Sequence, residues 1–481
     1  MHSSRRLLLS VAIAFMGSGA VWAIRPVEAA PLAAGFAHGD ITPKVTKEKP
    51  VWIAGYGQNR PATGVHDPLF CRVVVLDDGN HKFALASVDL IGLQYPAVLK
   101  IRAQLPEFDY VLVASTHNHE GPDVIGIWGP SAFRSGVDPE YVEFVIARVV
   151  ETIRQAARKT RPVRAAFGTS TDETMLRDSR LPNVVDGVLR VIYFTTLGTE
   201  EAAGILVQWN CHPEALGPEN QELTADFPFA TVTALEKRYT CPVVYFTGAV
   251  GGLMTTPKTI KNPGGPDLHE GNFEYAETYG RAVARLTQKG IDQAEPVSLS
   301  PLAVAARPIL LPLANPLYQA GRTIGVMTRE AFVWQGDSEK VGPPATSTTP
   351  LDELAIKTEV ACVQLGQVRV AAIPGEVYPE LVYGKFQDPA DPGADFPDAP
   401  LEPAVMNVPE RKRTLLFGMA NDEVGYIIPK RQWDQMPPFA YGREKSQYGE
   451  ISSCGPETAP ILMKAWRRQV QALQGERPPD P

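Results

Sequence analysis

Three short segments of this chain carry side chains suited to holding a metal ion, and each directly follows an apolar run. The first is Ser115-Thr116-His117-Asn118-His119-Glu120-Gly121-Pro122, behind Tyr110-Val111-Leu112-Val113-Ala114. Two histidines two residues apart at a strand end can reach one cavity if the chain turns there, and Gly121-Pro122 is a turn signal. The second segment is Asn210-Cys211-His212-Pro213, behind Ile205–Trp209. The third is Pro374-Gly375-Glu376, which closes the run Val368–Ile373. Imidazole is the commonest ligand of catalytic zinc, and a carboxylate could complete a two-histidine, one-glutamate set with one position left for water. The chain has eight histidines, and three of the seven beyond the leader stand at strand exits, where open α/β sheets carry their active sites. Taken singly, each segment has a plainer reading. An isolated H-x-H is more often a pair of loop histidines, and an acid like Glu376 more often favours a helix N-terminus.

The elements that would position these residues are legible as short Val- and Ile-rich runs bounded by Gly, Asp or Pro. Strands are expected at Cys71–Leu76, Phe83–Val88, Tyr110–Ala114, Val188–Phe194, Ala203–Trp209, Pro242–Phe246, Val360–Leu365 and Val368–Ile373. Helical spacing appears over Pro139–Lys159 and Phe273–Lys289. Strands alternating with helices imply an α/β core. Residues 335–350 and 386–404, rich in Pro, Asp, Gly and Thr, read as surface insertions.

Composition narrows the function. Hydrophobic residues make up 44% and charged residues 21% of 481, as in a globular enzyme. A net charge of −8 argues against a nucleic-acid partner, which calls for a basic face. Arg5-Arg6 precede an apolar run from Leu7 to Met16, then small residues ending in Ala20-Val21-Trp22-Ala23. This pattern is that of a signal peptide cleaved after Ala23 or after Ala30, so the mature chain is expected to be exported, periplasmic or secreted. No later stretch is long and apolar enough to suggest a membrane span. Five cysteines in an oxidising compartment permit one or two disulfides and leave at least one thiol over.

Together these segments resemble the neutral/alkaline non-lysosomal ceramidase family. The resemblance opens at Gly35-Phe-Ala-His-Gly-Asp-Ile-Thr-Pro43 and continues through Gly55-Tyr56 and Gly64-Val-His66-Asp-Pro-Leu-Phe-Cys-Arg72. Thr116-His-Asn-His-Glu-Gly-Pro122 is similar to the family's T-H-T-H-S-G-P block. Asn210-Cys-His212, Pro374-Gly-Glu376 and Gly418-Met-Ala-Asn421 with Gly425-Tyr426-Ile follow, and Tyr448-Gly-Glu-Ile-Ser-Ser-Cys-Gly-Pro456 closes it. The order holds over roughly 35–470.

The resemblance implies a single mixed α/β catalytic domain over 35–475, with its metal site at strand ends and no C-terminal immunoglobulin-like domain. It implies Zn²⁺ held by His117, His212, Glu376 and Tyr426. His119 would handle protons, and Arg180, with Arg177 as a near rival, would stabilise an oxyanion. The implied reaction is hydrolysis of an N-acyl lipid amide or a related small molecule by zinc-activated water. Another amide or ester substrate, or a zinc-containing lipid- or sugar-binding protein without turnover, are the alternatives. Two departures stand out. Glu423 occupies the place of a second family tyrosine. Gly251, in Thr247-Gly-Ala-Val-Gly-Gly-Leu-Met-Thr255, stands where the family carries an active-site serine.

Overall fold

The computed structural model describes residues 31–262, 264–408 and 413–475. The signal-peptide segment lies outside the described residues.

Eight strands form the path of a first sheet: β1 (Ala33–Asp40), β2 (Phe70–Asp77), β3 (Lys82–Val88), β4 (Tyr110–Ser115), β5 (Arg161–Thr171), β6 (Val188–Thr196), β7 (Ala202–Trp209) and β8 (Val243–Thr247). Their order is β8-β7-β6-β5-β1-β2-β3-β4, and β9 (Glu295–Val297) joins β5 as the ninth strand. A second sheet runs β10 (Leu302–Pro312), β11 (Leu354–Leu365), β12 (Val368–Ala372) and β13 (Thr414–Phe417), with Phe332-Val333 added to β11. Most pairings are antiparallel. Only three adjacent pairs of these long strands run parallel: β3 with β4, β7 with β8, and β12 with β13.

The two sheets stack face to face. Phe36, Leu85, Leu112, Phe194 and Phe246 of the first meet Val363, Val370, Leu415 and Phe417 of the second in one buried cluster. The rings of Phe246 and Phe417 lie parallel with centroids 3.9 Å apart. Runs such as Tyr110–Ser115 are buried on both faces, which explains why they read as continuous apolar segments and not as alternating ones.

Helices cover the outer faces. α1 (Tyr95–Ala103) and α2 (Pro139–Arg158) bury Val98, Ile101, Val145, Val149 and Ile153 against the β1–β4 half. Asp138 caps α2 by accepting from the Glu140 amide, with Pro139 in the first turn, a common helix start. α3 (Asp226–Tyr239) and α4 (Phe273–Asp292) cover the β6–β8 half. Two short helices, α5 (Pro316–Thr323) and α6 (Pro379–Tyr383), lie within loops, and α7 (Thr458–Leu473) packs its Leu462, Met463 and Trp466 into the core beneath the second sheet. The expected mixed α/β fold is present, with sheets that are mainly antiparallel. No β-sandwich separate from these sheets occurs among the described residues, and no helix among them is long and apolar enough to cross a membrane. All five cysteines are buried and none is paired, so the disulfides that the composition permits are not present in this structure. The two Pro- and Asp-rich insertions are largely irregular, as expected.

The stacked phenylalanines sit at the centre of the inter-sheet seam. Phe417→Ala should cost about 3–5 kcal/mol of folding stability, read from the urea midpoint. A cost under ~1 kcal/mol would show that the seam is not what joins the sheets.

Candidate metal centre

The three parallel pairs place their carboxyl ends at one spot. β4 ends at Ser115 and leads to His117 and His119; β7 ends at Trp209 and leads to His212; β12 leads to Glu376. The junction between the sheets is held by backbone bonds. The Ser115 amide donates to the Met419 carbonyl, Asn421 N–H to Val113 and Gly418 N–H to Thr247. Gly418 is confined there: a Cβ on it would stand 2.5 Å from the Gly248 carbonyl oxygen. Glu376 and Tyr426 are register partners in a two-residue parallel bridge, so the tyrosine enters the site beside the glutamate.

Each histidine is oriented by its outer nitrogen. His117 Nδ1 lies 2.8 Å from the Ile91 carbonyl, and His212 Nδ1 lies 2.9 Å from the Met254 carbonyl. A carbonyl can only accept, so both Nδ1 atoms carry a proton and both Nε2 atoms face inward, an orientation typical of metal-binding imidazoles. Glu376 Oε2 sits 3.0 Å from His212 Nε2 and 3.4 Å from His117 Nε2. Burial opposes ionisation of Glu376, but the two imidazoles hold its carboxyl well below the usual range. His117 adopts φ 65°, an uncommon conformation for a residue with a side chain. Flanking bonds from Thr116 N–H to Val88 and Asn118 N–H to Leu90 hold it.

His119 completes the cluster. Its ring centroid is 4.9 Å from that of His117 and 5.4 Å from that of His212. Ligand atoms of the three histidines fall within 4.8 Å of one another, so together they could hold a metal ion. Both ring nitrogens of His119 are buried without a hydrogen-bond partner. Burial and the adjacent His117 and His212 keep its pKa well below the usual imidazole value. The nearest acid is Glu214, with Oε2 at 3.6 Å from Nδ1, and the Tyr56 ring meets His119 edge-on at 5.2 Å. Sequence reasoning assigned no role to Glu214, although its place two residues after His212 was a usable signal.

His117, His119, Glu376 and Tyr426 line one wall of a cavity whose remaining lining is mostly apolar. Glu423 also lines it. Its Oε1 accepts from the Gly425 amide at 2.7 Å, its Oε2 is buried without a partner, and burial followed by repulsion from Glu376 raises its pKa strongly. Arg180 is not brought to this wall. Its guanidinium pairs with both oxygens of Glu450, at 2.7 and 2.9 Å, and also donates to the Tyr448 and Gln432 carbonyls. These contacts favour holding the 448–450 segment in place over stabilising an oxyanion. Arg177, the rival, reaches Glu270 near the surface.

No family model matches this sequence, and no curated protein matches it. Solved structures do. The crystal structure of neutral ceramidase from Pseudomonas aeruginosa superposes with a TM-score of 0.69 over 94% of this chain and 76% of that one, at 16% identity. A ceramidase complexed with C2 matches with a TM-score of 0.66 and 15% identity, over the same shares. The fold is that of the neutral ceramidases. On this fold there is no room for a side chain at Gly251. A Cβ there would lie 2.3 Å from the Tyr378 ring, 2.7 Å from the Tyr378 amide nitrogen and 2.8 Å from the Glu376 carbonyl oxygen. Tyr378 fills the space a side chain would need.

Two of those three contacts are backbone, so Gly251→Ser cannot be absorbed by turning a side chain. The variant should lose about 1–3 kcal/mol, read from its urea midpoint. A serine variant as stable as the parent would overturn this account.

Proposed function

We propose that this protein is a zinc-dependent hydrolase of N-acyl amides, exported behind its signal peptide, with His117, His212, Glu376 and Tyr426 as the metal ligands. The observation that carries the reading is the inward aim of two buried Nε2 atoms onto one carboxylate, at the wall of a largely apolar cavity. Nitrogen donors with a hard carboxylate and a phenol suit zinc better than calcium or magnesium, which prefer all-oxygen sets. A zinc ion so held would polarise a substrate carbonyl and lower the pKa of water to about 7.

The chain's own residues would do the rest. The carbonyls of Ile91 and Met254 lock the two imidazoles in the tautomer that ligation needs. His119 is neutral and its nitrogens are uncommitted, so it can take up a proton and deliver it to the leaving amine. The apolar walls exclude water and accept an acyl chain. Gly251 bears no nucleophile. Thr247 and Thr255 flank that loop; both are buried, and Thr247 donates to the Thr116 carbonyl at 2.6 Å. Attack by water therefore fits these surroundings better than attack by a side chain. A second reading keeps the metal and the cavity but not turnover, and the missing serine is what favours it.

Purified protein should hold about one zinc per chain by metal analysis. His117→Ala and His212→Ala should each lose it while keeping the circular dichroism of the parent. Full zinc in both variants would remove the assignment. Chelation should abolish hydrolysis of N-acyl substrates, and His119→Ala should slow it by roughly 10²–10⁴-fold. Zinc-loaded protein that turns over no amide or ester would favour the binding-protein reading.

A further inference from the structure

The cavity carries a cation that the reaction above does not use. Arg322, on α5, lines the same cavity as His117, His119 and Glu376. Its Nη1 donates to the Arg329 carbonyl at 2.5 Å, which tethers the guanidinium to the wall. Among the described residues no carboxylate lies within 4.0 Å of it. The other arginine of the lining, Arg329, differs on this point. Both of its terminal nitrogens bind Asp422, and one also donates to the Lys357 carbonyl at 2.7 Å. Of the two lining acids, Glu376 faces the histidines and Glu423 accepts from the Gly425 amide; neither pairs with Arg322.

A fixed, unneutralised guanidinium beside walls such as Ile125, Trp128, Met327 and Ile356 is an unbalanced positive charge in a weakly polar space. A carboxylate or phosphate placed there would pair with planar N–H donors at a partly desolvated site, where the attraction exceeds its value in bulk water. We infer that Arg322 selects acyl substrates that carry an anionic group, a carboxylate or a phosphate, over neutral ones. This rests on the cavity being the acyl-binding site of the proposed function.

Binding, and not only turnover, tests it. Zinc-loaded protein would be titrated calorimetrically with three probes of one chain length: dodecanoylglycine, the phosphate ester of dodecanoylethanolamide, and neutral dodecanoylethanolamide. The anionic probes should bind roughly 10–100-fold more tightly than the neutral one, and the stronger of the two names the anion. Arg322→Gln should collapse that ratio toward one, and Arg322→Lys, which keeps the charge but not the planar fork, should keep part of it. A thermal melt of each variant checks its fold. A ratio near one in the parent, or a ratio unchanged in Arg322→Gln, would overturn the inference. Selective binding without hydrolysis would uphold the anion site and remove the hydrolase reading. Hydrolysis of neutral and anionic probes with equal kcat/KM would do the reverse.

Discussion

A carboxylate that is almost cut off from solvent must be compensated, and Glu376 is such a group. Its charge is tolerable only because two imidazole nitrogens face the same oxygen. Removing one partner from a buried charged group is strongly destabilising, so the geometry of His117 and His212 is tied to stability as well as to ligand binding. That explains why so many backbone bonds converge on these loops. The carbonyls of Ile91 and Met254 orient the rings, and the bridge between Glu376 and Tyr426 fixes the acid from the other side.

The convergence has a topological origin. An antiparallel pair sends its two strand ends in opposite directions, whereas a parallel pair delivers two carboxyl ends to one edge. These mainly antiparallel sheets contain three parallel pairs, and all three end at the site. Stacking the sheets through Phe246 and Phe417 brings the third pair over the first two. The same residues that build the seam therefore place Glu376 above His117 and His212.

Much of this was legible beforehand, for physical reasons that differ by element. Fully buried strands announce themselves by apolar runs, nearly unbroken in Tyr110–Ser115 and interrupted only by Arg369 in Val368–Ala372. β5 and β10 escaped because Arg161–Thr171 mixes Arg, Gly and Thr, and Leu302–Pro312 is an edge strand with exposed residues at its centre. β1 was quoted as a motif but not seen as a strand, since its Gly35 and Gly39 dilute the pattern. The candidate metal ligands could be found because strand exits are recognisable. The surroundings of Arg180 could not, because its partner Glu450 lies 270 residues away, and no local pattern encodes such a pairing.

Gly251 and Tyr378 show how packing and chemistry constrain each other. Gly251 N–H donates to the Val377 carbonyl at 2.9 Å, and Val377 is the residue between Glu376 and Tyr378. The glycine loop is thus bonded directly to the strand that carries Glu376. A side chain at 251 would push on that strand from below, because its nearest neighbours are the Glu376 carbonyl and the Tyr378 amide. A side chain there would force movement of the Tyr378 ring and of the 376–378 backbone, which carries the acid paired with His212. The bulk of Tyr378 and the absence of a side chain at 251 are one structural choice. It leaves His119, with both ring nitrogens buried and unpartnered, as the uncommitted imidazole of the cluster.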